Sequence, residues 1–336
     1  MKGLCKTISI VVVLVTLVFV IVSNSDAKEK IVLKLGHIWG PNHLIHKECV
    51  FFADLVKKES KGEVEIQIFP AEQLVKAKEL PYAVSKGMID MGTIVGAYIS
   101  GKVPELDVYF LPGLRTWDSL LKGYRGGMAE ITNKVLGERL NLKLLFYFFG
   151  GSNELWTVKK PVRAVDDMNG LLIRGGGGAL NEIVRALGAT PVTVSGAEVY
   201  QGLQRGTFDG CYWGSTSYLA QKAWEVCKYG TRLSQPFGLM TPNVSINLDR
   251  WNKLPPEVQK ILADCSTKAD ENGIVVGKEE LNTLWTEAKK GGLTIVDMNP
   301  KDEQQWMKRI EKVWDWYAEQ SGEVGRQLLE IAKKFR

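Results

Sequence analysis

The residue with the clearest chemical potential is Arg174, which closes the apolar run "GLLI" and precedes four glycines, residues 175–178. Beyond them "ALNEIVRAL" has the spacing of an amphipathic helix. A strand, a glycine loop and a helix start together make a site for an anion, because unpaired helix N–H groups and the helix dipole favour negative charge. Phosphate is disfavoured. A Walker loop needs Gly-Lys-Ser/Thr at its end, and a dinucleotide fingerprint needs a third Gly or Ala where this chain has Leu180 or Asn181. A guanidinium at a strand end suits a carboxylate, which it meets through two parallel hydrogen bonds. Internal pairing of Arg174 with Asp166, Asp167 or Glu198 is the competing reading.

Other chemistry is sparse. The three histidines are His37, His43 and His46, and no serine sits in a G-x-S-x-G or beside an obvious base. His43 and His46 lie three apart near Glu48 but lack HExxH geometry, so they read as solvated residues at a helix start rather than metal ligands. Cys49, Cys211, Cys227 and Cys265 follow the N-terminal apolar run without a CxxC spacing. They read as buried thiols, with Cys211 and Cys227 the nearest pair if a disulfide forms. Of the 10 tryptophans, Trp39 and Trp213 follow strand ends among turn residues. Loops at the carboxyl ends of strands are where open α/β sheets bind ligands. Packing accounts for either tryptophan equally well.

The elements that must position these residues alternate. "IVLKLGH", "EVEIQIF" and "IDMGTIV" read as strands separated by helices, the first helix spanning residues 43–60. A long helix from Trp117 to about Leu140 leads into "LKLLFYFF", whose unbroken apolarity predicts the middle of a covered sheet. A second α/β unit starts near Leu155 with "LWTV", "LLIR", "TPVTV" and "FDGCYW". From Pro255 the pattern is helical nearly to Lys290, about 50 Å if continuous, with Gly273 and Gly277 predicting a bend or break. "LTIVDM" and two more helices follow, the first from Trp306 to Ala318.

"MKGLCK" followed by the apolar residues 8–22 and "SNSDA" reads as an export signal cleaved near Ala27, with an uncleaved anchor as the alternative. The remainder is long enough for two domains. Setting aside Lys2, Lys6 and Asp26 from 43 basic and 38 acidic residues leaves 41 and 37, a mild excess without a Lys/Arg stripe for nucleic acid.

In order and spacing, "LKLGHIWGPNHLIHKECVFFADLVKKESKGEVEIQIFPAEQL", "SKGMIDMGTI", "VPELDVYFLPGL" and "KPVRAVDDMNGLLIRGGGGALNEIVRALGATPVTVSGAEVYQGLQRGTFDG" resemble the solute-binding receptors of tripartite ATP-independent periplasmic (TRAP) transporters, the DctP-like family. The resemblance covers nearly the whole exported part. It implies an α/β fold, a two-lobed periplasmic solute-binding protein of type II-like form with a long helix spanning both lobes. Lobe I would comprise residues 28–150 with 238–280, and lobe II residues 151–237 with 281–336. The shortage of histidine and nucleophile pairs speaks against an enzyme, and the residues point to no cofactor or metal site. The implied receptor would bind a small organic acid in the periplasm and deliver it to membrane permease subunits. The arginine of the "GLLIR" position forms a salt bridge with the substrate carboxylate in this family, which gives Arg174 that role.

Two departures bear on specificity. Many members carry a second arginine where Asn153 stands here, and many dicarboxylate and sialic-acid receptors have Glu-Asn where this chain has Tyr212 and Trp213. A monocarboxylate with an apolar or aromatic body, or a 2-oxo acid, is therefore expected. Trp39 and Trp213 would form the apolar wall, with Asn153 and Tyr212 as polar contacts. A sensor subunit with the same ligand, or a periplasmic enzyme on a similar frame, are the alternative functions.

Overall fold

The computed structural model describes residues 30–112, 116–148, 151–234 and 238–335. The expected export signal and its cleavage point lie outside the described residues.

Two sheets form two lobes. Strands β1 (Ile31–Gly36), β2 (Val64–Phe69), β3 (Met91–Ile94) and β4 (Leu142–Tyr147) build the first. Strands β5 (Ser152–Thr157), β6 (Leu172–Arg174), β7 (Thr190–Val192), β8 (Gly210–Gly214), β9 (Tyr229–Arg232) and β10 (Gly238–Leu239) build the second. The chain then returns to the first sheet with β11 (Asn243–Asn247) and to the second with β12 (Thr294–Asp297). The orders are β2-β1-β3-β11-β4 and β12-β9-β5-β8-β6-β7, with β10 also on β5. In β2, Val64 and Ile66 face the core while Gln67 is exposed, which is the period-two pattern of a strand with one covered face.

The chain crosses between lobes after β4 and before β11. Hydrogen bonds join the two crossings, Phe148 N to Pro242 O at 2.8 Å and Met240 N to Gly151 O at 3.2 Å. Gly238–Leu239, expected to belong to the first lobe, instead pair antiparallel with Asn153 and Ser152 of β5. The apolar run at β4 is an edge strand of its sheet rather than a middle one. Its apolarity answers to the burial of nearly every residue beneath the helices that pack against it.

The long helix Pro256–Lys290 runs 35 residues, about 50 Å at 1.5 Å per residue. Val258, Leu262, Cys265 and Ala269 join the core of the first lobe, while Leu284 and Ala288 join Trp156, Tyr218 and Leu293 in the second. The expected break at Gly273 and Gly277 is not seen, and the helix is continuous. Both glycines are buried, and Asn272 beside them donates to Glu48 at 2.6 Å, so tertiary contacts offset the roughly 1 kcal/mol that each glycine costs a helix.

The helix expected from Trp117 to Leu140 divides instead into Trp117–Gly123 and Ala129–Leu140, around a wide turn in which Gly127 has φ 124°. A side chain would be strained there. The helix expected from Trp306 divides too, into Pro300–Ile310 and Lys312–Gln320. The C-terminal helix Gly322–Lys333, placed with lobe II by the sequence reading, packs against residues 104–110 and 117–128 of the first lobe. Its buried face of Leu328, Leu329 and Ala332 finds cover there, and nearby Tyr317 Oη donates to Glu105 O at 3.1 Å.

All four described cysteines are buried free thiols. The fold holds through its cores. Leu262 is fully buried between the long helix and its neighbours, so Leu262→Ala should lower the unfolding free energy by about 2–5 kcal/mol, measured by urea denaturation. A loss below about 1 kcal/mol would mean that the long helix is not clamped to the first lobe as described.

Candidate functional site

Arg174 is the last residue of β6, which lies between parallel neighbours β7 and β8. Its side chain leaves the carboxyl end of the strand and is only 3% exposed. Nε and Nη2 donate to Val194 O at 3.1 and 3.0 Å, and Nη1 reaches Tyr212 O at 3.4 Å. Nη2 also points at Tyr98 Oη, 3.5 Å away. These acceptors are neutral. The acids that might have neutralised the guanidinium have other partners. Asp166 pairs with Arg309 at 2.8 Å, Asp167 lies 3.6 Å from Lys160, and Glu198 accepts from Ser195 Oγ at 2.7 Å. Among the described residues Arg174 has no ion pair.

The four glycines have a different role from the one their sequence implies. Gly176, Gly177 and Gly178 all have positive φ. A Cβ on Gly176 would come within 2.8 Å of Arg174 Nη2, so its absence leaves room for the guanidinium. Side chains at Gly177 and Gly178 would overlap Ala97 O and Asp107. The loop thus lies directly on the first lobe. At the start of the helix Gly178–Ala186, the Asp107 carboxyl accepts from Ala179 N and from Ser100 Oγ, the latter at 2.8 Å. The helix start therefore holds an internal acid, and the expectation that it helps bind a ligand anion is corrected. Asn181 closes the loop by accepting from Gly177 N at 3.0 Å and donating to Thr193 at 2.7 Å.

Around Arg174 is a cavity of about 40 Å³ lined by residues of both lobes, among them Ile38, Trp39, Tyr98, Phe110, Asn153, Trp213 and Ser217. That volume is a few waters in size. Through Trp39 and Gly196 it adjoins a wider vestibule of about 140 Å³ bounded by residues 38–43 and Gln221. The structure therefore brings Arg174, Trp39, Trp213 and Asn153 together. Asn153 is buried and donates Nδ2 to Leu239 O at 3.0 Å. Tyr212 is the exception. It gives its carbonyl to Arg174, but its phenol packs in the main core near Gly238 and does not line the cavity. Adjacent side chains of β8 point to opposite faces, so Tyr212 and Trp213 cannot both face the same space.

Several lining residues escaped the sequence reading. Tyr98 follows β3, and its Oη accepts from Gly196 N at 2.7 Å, a hydrogen bond across the crevice. Like Trp39, Tyr98 is an aromatic with a polar atom shortly after a strand end, so its type and position carry the same signal. Ser217 and His43 carried no such signal. Of His43 and His46, both expected to be solvated, His43 is 2% exposed and His46 half-buried, and His37 is buried as well. His43 caps the helix Leu44–Glu59 through Nδ1, which accepts from Ile45 N at 3.1 Å, and its Nε2 lies 2.9 Å from Ser217 Oγ. His37 and His46 form a second bonded pair at 3.0 Å.

Two α/β lobes with paired crossing strands, a shared long helix and a crevice floored by a buried cation define a two-lobed solute-binding protein. The DctP family, described as bacterial extracellular solute-binding protein family 7, matches residues 35–320, and this chain belongs to it. The C4-dicarboxylate-binding periplasmic protein DctP of Rhodobacter capsulatus is 27% identical over 300 residues, 88% of each chain. A TRAP periplasmic solute-binding protein from Rhodoferax ferrireducens, solved with bound malonate, superposes with a TM-score of 0.84 at 24% identity, over 90% of this chain and 98% of that one. DctP7 of Bordetella pertussis, an extracytoplasmic solute receptor binding pyroglutamic acid, gives 0.83 at 20% identity, over 90% and 99%.

Burial sets the protonation of the acids and histidines of the fold. It raises Asp107, Glu48 and Glu280 to about 7 and Glu154 to about 8. It lowers His37 to about 4 and His43 to about 3. The raised acids hold protons that the unfolded chain releases, so their stabilisation is lost as pH rises from the ordinary carboxylate range to 7–8. The histidines stay neutral where the unfolded chain protonates below its ordinary 6.5, so theirs is lost as pH falls below that value. Only the acids act on the alkaline side. The melting temperature should therefore fall between about pH 6.5 and 8.5, and Glu154→Gln should flatten the upper part of that fall in calorimetric scans. A flat profile in the wild type would contradict the assigned burial.

Proposed function

We propose that the protein is the extracytoplasmic receptor of a TRAP-type transporter, working in the periplasm, and that it binds an organic acid by its carboxylate and presents it to membrane permease subunits. One observation carries the ligand class: Arg174 is buried, hydrogen-bonded to neutral acceptors and without an ion pair among the described residues. A desolvated cation gains most from an anion delivered to it. The relatives' ligands, a C4-dicarboxylate, malonate and pyroglutamic acid, all carry carboxylates.

A single carboxylate is favoured over two. Arg174 is the one cationic side chain among the described residues lining the cavity, and Asn153 stands where a second arginine would serve a dicarboxylate. The remaining wall is largely apolar, with Trp39, Val95, Phe110, Leu180 and Trp213. A ring or aliphatic body answers to it, and the polar groups of the rim leave room for a carbonyl such as that of a 2-oxo acid.

Magnitudes support this division of labour. A micromolar dissociation constant corresponds to about 8 kcal/mol. A charge-assisted contact contributes about 1.5–3 kcal/mol, and burying about 200 Å² of apolar surface about 5 kcal/mol more. The cation orients the acid and the aromatic wall holds it, less the freedom lost on association. Closure follows from the same contacts. The cavity draws on both lobes, so a ligand touching both is bound better by the closed form and shifts the population toward it.

A thermal-shift screen against organic acids followed by titration calorimetry tests the assignment. Arg174→Ala should weaken binding of the best acid by at least a hundredfold, the loss of about 3–5 kcal/mol that follows when one partner of a buried ion pair is removed. Arg174→Lys should recover only part of this, because an ammonium lacks the planar fork. A loss below about tenfold in the alanine variant would remove Arg174 from its role.

A further inference from the structure

The hydrogen bonds around His43 fix its tautomer, and through it the direction of a second polar group in the cavity. His43 Nδ1 accepts from the backbone N–H of Ile45 at 3.1 Å, the side-chain cap of the helix Leu44–Glu59. A nitrogen that accepts from an amide carries no proton, so in the neutral ring the proton sits on Nε2. Nε2 lies 2.9 Å from Ser217 Oγ. The imidazole is therefore the donor in that bond, and Ser217 oxygen the acceptor.

Serine keeps one proton of its own to donate. Among the described residues no acceptor stands in hydrogen-bonding position for it. The carbonyl one turn earlier, Trp213 O, accepts from Trp156 Nε1 at 3.2 Å and receives no bond from Ser217 Oγ, whose one hydrogen-bond contact among the described residues is His43. Ser217 is 3% exposed and His43 2%, so bulk water does not readily satisfy the hydroxyl. Ser217 lines the same cavity as Arg174.

We propose that Ser217 is a specificity-determining residue whose hydroxyl, oriented by His43, donates to a second acceptor on the bound acid, a carbonyl oxygen apart from the carboxylate held by Arg174. This rests on the receptor reading above and narrows it to acids with two separate acceptors. His43 belongs to the first lobe and Ser217 to the second, in the short helix Ser215–Ala220. The donor is thus aimed only when the lobes meet. A ligand whose carbonyl takes the proton completes a chain from Ile45 N–H through His43 and Ser217, and an acid without that carbonyl leaves a buried hydroxyl unsatisfied. A site built to hydrogen-bond a ligand group discriminates strongly against analogues that lack it. His43 is a positioning residue, acting through Ser217.

The test uses matched pairs of acids, pyroglutamate with cyclopentanecarboxylate and 2-oxobutanoate with butanoate, titrated against the exported protein by calorimetry. The wild type should prefer the carbonyl-bearing member of at least one pair by about tenfold or more. Ser217→Ala should bring that ratio to within about threefold, because the carbonyl-bearing acid loses a hydrogen bond that the carbonyl-free one never made. His43→Asn, which retains a helix cap, should give an intermediate ratio. Nitrogen-15 NMR of the imidazoles should show His43 as the Nε2–H tautomer.

An Nδ1–H tautomer, an unchanged ratio in Ser217→Ala, equal weakening of both members of a pair, or no preference in the wild type would each overturn the proposal. Arg174→Ala separates it from the reading beneath. Acids that bind through Arg174 without a Ser217-dependent ratio overturn only the role of Ser217. If no acid binds, or if binding is indifferent to Arg174, the receptor reading falls and this proposal falls with it.

Discussion

A buried guanidinium that makes no ion pair among the described residues is the constraint around which this molecule is arranged. Carbonyls of Val194 and Tyr212 keep Arg174 in place and supply partial negative charge, and neither neutralises it. Burying a charge costs several kcal/mol even after relaxation. The surrounding structure must meet that cost in the free protein. The backbone of β6, the missing Cβ of Gly176 and the carbonyl of Val194 hold the cation in one orientation.

The same economy explains the glycine run. A glycine loop before a helix invites comparison with anion-binding loops, yet here the helix start is closed by Asp107, and the loop glycines permit close approach of the two lobes. The proposed anion site and the lobe contact are therefore adjacent but separate. Arg174 faces the cavity, and two residues later the chain turns to dock on Ala97 and Asp107. Contacts across the crevice cluster there: Gly196 N to Tyr98, Asp107 with Ala179, His43 with Ser217. A solute that reaches both Arg174 and the opposing wall joins an existing set of contacts instead of creating one.

The long helix and the C-terminal segment tie the two lobes together. One end of the helix is set in each core, and the final helix lies on the first lobe although the strand before it belongs to the second. The paired crossings near Phe148 and Met240 connect the lobes by short, hydrogen-bonded backbone, the kind of segment that absorbs a hinge rotation with few dihedral changes.

Much of this was legible in the sequence. Period-two and period-3.6 patterns located the strands and helices, and Arg174 ends its strand and Trp39 follows one as expected, whereas Trp213 lies within β8 rather than after it. Segment order pointed to the family. Patterns of this kind report local geometry, in which each side chain's direction follows from its neighbours along the chain. Tyr212 shows the limit: its neighbour Trp213 occupies the cavity face of β8, so the phenol must turn to the core. Only the tertiary structure decided that Asp107 caps the helix after the glycines, that Gly273 and Gly277 leave the long helix unbroken, and that His43 meets Ser217. Each depends on groups from distant parts of the chain arriving at one place. The free energy of such a meeting lies in burial and in hydrogen bonds closed across space, which no spacing of residues along the sequence records.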